Sequence, residues 1–179
     1  MINFNFDRDT ALASMLYIAK ASGGVCDKYN LLKTLYFADK LHLVKYGRPI
    51  TGDNYISMKY GPVPSKSFDI IRHEKNDLTF LLDGNQFTGL AEPDLDYLSE
   101  TDIEVLDAAI LETKHLGFVQ LMDKSHDEAY NKTCQEMGLN ASISFDDMAS
   151  AGGVTPTMLE YIKMISENQN CNLNGSSNW

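Results

Sequence analysis

The chain has 179 residues and a mass of 20.0 kDa, 44% apolar and 22% charged, which is the makeup of one globular domain that buries its core without a disulfide or metal staple. Its formal charge is −10, spread unevenly: +3 over residues 1–60, with eight Lys/Arg against five Asp/Glu, and −13 over residues 61–179, with seven against twenty. An acidic surface repels phosphate backbones and draws in basic partners, so direct nucleic-acid binding is not expected, and no apolar run reaches the roughly 18–20 residues that span a bilayer. The start, Met1 to Asp7, lacks the basic and apolar regions of a signal peptide, and Cys26, Cys134 and Cys171 include no CxxC pair. A cytoplasmic protein with reduced thiols is expected.

In chain order, a first helix is predicted from about Asp7 to Ala21, capped by Asp7 or Asp9, with Leu12, Met15, Leu16 and Ala19 on one face and Gly23-Gly24 as its stop. A second runs from an Asp27 cap to Tyr46, stopped by Gly47, with Leu32, Leu35, Tyr36 and Leu43 on one stripe. The pair predicts a helical hairpin. Asp39 falls within the apolar stripe, where a carboxylate must be paired, solvated at a rim or neutral. Alternation over Asp53–Lys59 predicts a half-buried strand, Gly61-Pro62-Val63-Pro64 a rigid turn, and Ser65–His73 a helix. The segments 78–82 and 86–90 flank Asp83-Gly84 as a hairpin. Further helices are expected from Ser99 or Thr101, with Glu104 at capping-box spacing from Thr101, over Val119–Lys124, after a Ser125 cap, at Ser144, and from Thr155-Pro156 to about Glu167. The fold class is therefore mainly α (α+β), a compact helical domain with a small antiparallel β element. One domain is expected over 1–167, and residues 168–179, ending in Trp179, form a flexible polar tail.

Few residues carry a signal for chemistry. No HExxH, zinc spacing, P-loop or GxGxxG is present. Asp39 and His42 share a helical face and can act as an acid/base pair, but a buried polar joint that also includes Ser125 and His126 is the favoured reading. The protein is therefore expected not to be an enzyme, and to hold no metal or cofactor. The best surface candidate is the segment from Lys59 to Pro64, a stiff turn bearing a lysine and a tyrosine, which costs little entropy to order on binding. Candidate partner contacts are Arg48, Tyr55, Lys59, Tyr60, Pro62 and Val63. Arg48 is also placed for a structural ion pair with an acid such as Asp53.

The stretch LYFADKLHLVKYGRPITGDNYISMKYGPVPSKSFDII, residues 35–71, resembles the core signature of the Panacea, or SocA-like antitoxin, domain. The resemblance extends over about 12–133, through LSETDIEVLDAAI (98–110) and SHDEAYNKT (125–133), with Tyr130 standing where the family has tryptophan. It implies a mostly helical antitoxin from a bacterium or prophage that neutralises a co-encoded protein toxin by direct binding. It also implies an alternative, an adaptor that delivers the toxin to a ClpXP-type protease. The acidic composition adds that the toxin is basic.

Overall fold

The structure is a computed structural model describing residues 1–74 and 78–174, with side chains to residue 169. The first helix, α1 (Arg8–Ala21), begins where Asp7 accepts a hydrogen bond from the Thr10 N–H at 3.0 Å. A short strand, β1 (Val25–Asp27), leads into α2 (Lys28–Tyr46), capped by Asp27, which accepts from the Tyr29 and Asn30 amides. Gly47 ends it in the left-handed conformation. The predicted stripe underestimates this helix, because every residue from Leu31 to Asp39 is buried. A helix wrapped on all sides shows no single apolar face. Its neighbours are α1, α4 (Glu100–Thr113), α5 (Phe118–Ser125) and α7 (Phe145–Ala151). The hairpin with α1 forms, but α4 is the principal partner.

Two small antiparallel sheets lie beside this bundle. In one, β1 pairs with β5 (Gln86–Gly89), which pairs with β4 (Phe80–Asp83) across a two-residue loop, Gly84-Asn85. In the other, β2 (Tyr55–Met58) lies between β3 (Gly61–Pro64) and β6 (Ser142–Ile143). The segment predicted as a turn is thus itself a strand, and the turn is Lys59-Tyr60. Two prolines fit a ladder here because they sit two apart on an edge strand. Pro62 and Pro64 oppose Ser57 and Tyr55 at positions whose N–H would point away from β2, and the Ser57 amide bonds instead to Ala141 of the β6 side, at 2.8 Å. Strands β1 and β6 are too short to leave a period in the sequence.

Between Ser65 and His73 lies α3, as expected, followed beyond the hairpin by α4. Its capping box pairs Ser99 with Asp102 rather than Thr101 with Glu104, and Glu104 instead meets Lys45 and Tyr46. Ser125 does not cap the next helix. It is the last residue of α5, where its hydroxyl donates to the Met122 carbonyl, and Asp127 caps α6 (Glu128–Met137). The last helix, α8 (Pro156–Asn174), extends past the expected end at Glu167, and 175–179, with Trp179, lie outside the described residues. The N-terminal segment lies against this end of the chain: Asn3 and Ser166 exchange two hydrogen bonds, and Phe4 meets Phe145 edge-on at 5.2 Å.

Asp39 joins the layers. Its Oδ1 accepts from the Ile50 and Thr51 amides, both at 2.9 Å, and its Oδ2 from the Thr51 hydroxyl at 2.5 Å and the Tyr55 hydroxyl at 2.9 Å. Complete burial pushes its carboxyl up to about 6, against these four donors, which favour the ionised form. A folded-state value above the ordinary carboxylate range stabilises the fold most below about pH 4, and that contribution is lost as pH rises through about 6. Asp39→Ala strands two amides and two hydroxyls and is expected to cost about 3 kcal/mol or more in urea denaturation. The gap to wild type should be widest on the acid side, and Asp39→Asn, which mimics the neutral acid, should lose less. An alanine variant as stable as wild type contradicts this role.

Candidate functional site: a clamped hairpin with exposed rings

The β2–β3 hairpin is held by its backbone. The Met58 carbonyl accepts from the Tyr130 hydroxyl at 2.8 Å, the Tyr60 carbonyl from the Tyr29 hydroxyl at 2.9 Å, and the Pro62 carbonyl from the Lys33 ammonium at 2.7 Å. Three alternate carbonyls are thereby fixed by side chains from α2 and α6. Gly61, at φ +97°, lets the strand pass close over this point, since a Cβ there would collide with Ser125 Oγ and sit 2.7 Å from Lys33 Nζ. With the backbone clamped inward, Lys59 and Tyr60 face solvent. The Tyr60 ring, 47% exposed, meets Phe118, 48% exposed, at 5.4 Å and 70°, and Phe118 lies 4.6 Å from the Tyr29 ring.

Beneath the rings the floor is polar. Lys33 is buried, with its Nζ 5.1 Å from the Tyr29 ring, and burial pulls its ammonium down to about 7 despite the pull of Asp127 the other way. Ser125 is buried beside it, and His126 stacks on Tyr130 at 4.3 Å and 13°. The His126 Nε2 is buried without a hydrogen-bond partner among the described residues, and burial, then the neighbouring Lys33, lowers its basicity. Asp127 is occupied by Lys40 at 2.6 Å and Tyr36 at 2.7 Å.

The four residues expected in one polar joint divide between separate places. Asp39 and His42 do not bond each other, because each takes partners from the loop that follows α2. His42 Nδ1 donates to the Arg48 carbonyl at 2.7 Å, and its Nε2 lies 3.0 Å from Asp102 Oδ1. Ser125 and His126 lie instead under the hairpin. Arg48 forms its structural ion pair with Asp102 at 2.9 Å, not with Asp53. Asp53 is taken up at the start of α3, accepting from the Lys66 and Ser67 amides and the Ser67 hydroxyl. Burial opposes ionisation of Asp102, but hydrogen bonds from His42 and Ser99 and the Arg48 charge hold it down at about 2. An open cleft of about 830 Å³ lies next to Arg48 and Arg8, and both cations are engaged, Arg8 with Glu74 and Asp9.

Of the candidate contacts, Lys59 and Tyr60 are exposed and Val63 is half-buried. Tyr55 is 1% exposed, with its hydroxyl on Asp39, and Pro62 is buried with its carbonyl on Lys33, so neither side chain is a surface contact. Arg48 is partly exposed but tied to Asp102. Tyr29, Lys33 and Phe118 were missed by sequence reasoning. Phe118 follows Gly117 at a helix start, which marks the position but not the exposure. Among the described residues, no group of three His, Cys, Asp or Glu is placed to hold a metal ion.

The clamp has a pH signature. A lysine held below its ordinary 10.5 is stabilised in its neutral form, so its contribution is lost as pH falls through about 7 and grows as pH rises above it. Urea titrations at pH 7, 8 and 9 should show wild type gaining on Lys33→Met by up to about 1.4 kcal/mol per pH unit. Parallel curves for the two proteins contradict the assignment.

The model of one family, described as antitoxin SocA-like, Panacea domain, matches residues 31–131, more than half of the chain and the segment that holds α2 from Leu31 onward, the β2–β3 hairpin and the Ser125–His126 floor. No curated protein and no solved structure matches in the corresponding searches. By that match, the chain belongs to the SocA-like antitoxin, Panacea-domain family.

Proposed function

We propose that this protein is the antitoxin of a bacterial or prophage toxin–antitoxin pair and neutralises a co-encoded protein toxin by binding it directly, without turning over a substrate. The family match supports a protein partner. The observation that carries the reading is the clamped hairpin, whose three fixed carbonyls leave Lys59 and Tyr60 as a preformed projection. A rigid projection with exposed rings suits recognition, since little freedom is lost when a partner seats on it. The side chains with catalytic potential support the same reading. Asp39 is enclosed by four donors, His42 is wedged between the Arg48 carbonyl and Asp102, and Ser125 is buried.

The net charge of −10 favours a basic toxin, with attraction that speeds encounter. It also disfavours direct contact with nucleic acid. None of the described helices is long and apolar enough to cross a membrane, and the proposed site of action is the cytoplasm.

Expression of the adjacent open reading frame alone should arrest growth, and co-expression with this chain should restore it, with the two proteins recovered together in a stoichiometric complex. Restored growth without a complex, accompanied by toxin loss that requires a ClpXP-type protease, would favour the adaptor route. A harmless neighbour, or arrest that this chain does not relieve, contradicts the reading.

A further inference from the structure

The sequence draws attention mainly to the hairpin, but the fold builds a larger surface around it. Tyr29 from the start of α2, Phe118 from the start of α5 and Tyr60 from the hairpin tip form a continuous platform, with Phe118 in contact with both other rings. Two exposed rings, Phe118 and Tyr60, backed by the half-buried Tyr29 on a fixed backbone, have the makeup of a binding hot spot, where a few aromatic groups supply most of the affinity. Its mounting is rigid, because the Tyr29 hydroxyl bonds the Tyr60 carbonyl beneath the rings.

One charge lies beside the rings and another is carried by α5. Lys59 lies with its Nζ 5.1 Å from the Tyr60 ring centre, and Asp123, on the same helix as Phe118, is close enough to Tyr29 and His126 to influence both electrostatically. Neither forms an ion pair among the described residues, whereas Lys40, Lys45, Lys124 and Lys132 each hold a carboxylate. An exposed pair of rings with a cation beside it, unpaired with any carboxylate among the described residues, is a pattern that a partner can read.

We propose that the Tyr29–Phe118–Tyr60 platform is the seat of the toxin, receiving an apolar or aromatic side chain with a carboxylate beside it for Lys59. This rests on the antitoxin reading and adds the place of contact. A second copy of this chain is the less suitable occupant, because each copy carries −10 and the nearby β3 edge has prolines where outward amides would be needed for strand pairing. A basic protein meets neither obstacle.

The test uses the full chain and the purified product of the adjacent open reading frame, inactivated if required, in calorimetric titration. Phe118→Ala and Tyr60→Ala should each weaken binding at least about tenfold, as expected of hot-spot rings. Lys59→Glu should weaken it severalfold, with the difference shrinking at high salt. Leu81→Ala, on the exposed face of the other sheet, should leave affinity unchanged. Melting temperatures should fall by no more than about 3 °C, and Phe118→Gln provides a second variant if alanine falls further. Wild-type affinity in the Phe118→Ala/Tyr60→Ala double variant overturns the site while leaving the antitoxin reading in place. No binding by wild type overturns the reading itself. A wild-type dimer by light scattering that Phe118→Ala dissociates overturns the choice of occupant.

Discussion

Burial of α2 on every side is the constraint on which the rest of the structure depends. A helix that carries Lys33, Thr34, Asp39 and His42 into the interior cannot leave them unpaired without losing more stability than a domain of this size has to spare. Each therefore reaches out to a different part of the chain. Lys33 takes the Pro62 carbonyl, Thr34 the Thr113 hydroxyl of α4 at 2.8 Å, Asp39 the 50–55 segment, and His42 the Arg48 carbonyl. The polar residues of one helix thus fix the position of a neighbouring helix, a loop and a hairpin. The apolar residues between them supply most of the favourable free energy, and the polar ones decide which arrangement is adopted.

The hairpin inherits its rigidity from this arrangement. Its carbonyls are held by Tyr29, Lys33 and Tyr130, so the backbone at the tip projects Lys59 and Tyr60 from fixed positions. The same residues that stabilise the fold therefore define the candidate recognition surface. Buried Lys33, His126, whose Nε2 has no hydrogen-bond partner among the described residues, and the Gly61 passage lie against the inner side of the hairpin. Membership of an antitoxin family fits a molecule whose structure is concentrated on presenting a shape.

Much of this was legible in the sequence. The Asp27 cap, the Gly47 stop, α3 and the β4–β5 hairpin follow from local chemistry, which one sequence window contains. The Gly61–Pro64 strand was misread because proline argues against a ladder until it is known that the strand is an edge. Ser125 was misread as a cap because the competing use of its hydroxyl, on the Met122 carbonyl, is decided by where α5 ends. Asp39 was legible as a problem, a carboxylate in an apolar stripe, but its four donors come from residues 50–55 and depend on the path of the loop. Tyr55 and Pro62 were read as surface residues because alternation in a strand does not say which face is covered. Phe118 fell just before the helix expected over Val119–Lys124, and nothing in a sequence window says that an apolar residue there is left exposed.

Hydrogen–deuterium exchange on the free chain and on its complex with the adjacent gene product tests the central claim most directly. The account predicts that amides of β2 and β3 are already slow in the free protein and become slower in the complex, that the exposed first-turn amides of α5 are fast in the free protein and gain protection in the complex, and that α8 and the β4–β5 hairpin are unchanged. Fast exchange across β2–β3 in the free protein, or new protection confined to α8 or β4–β5, would contradict it.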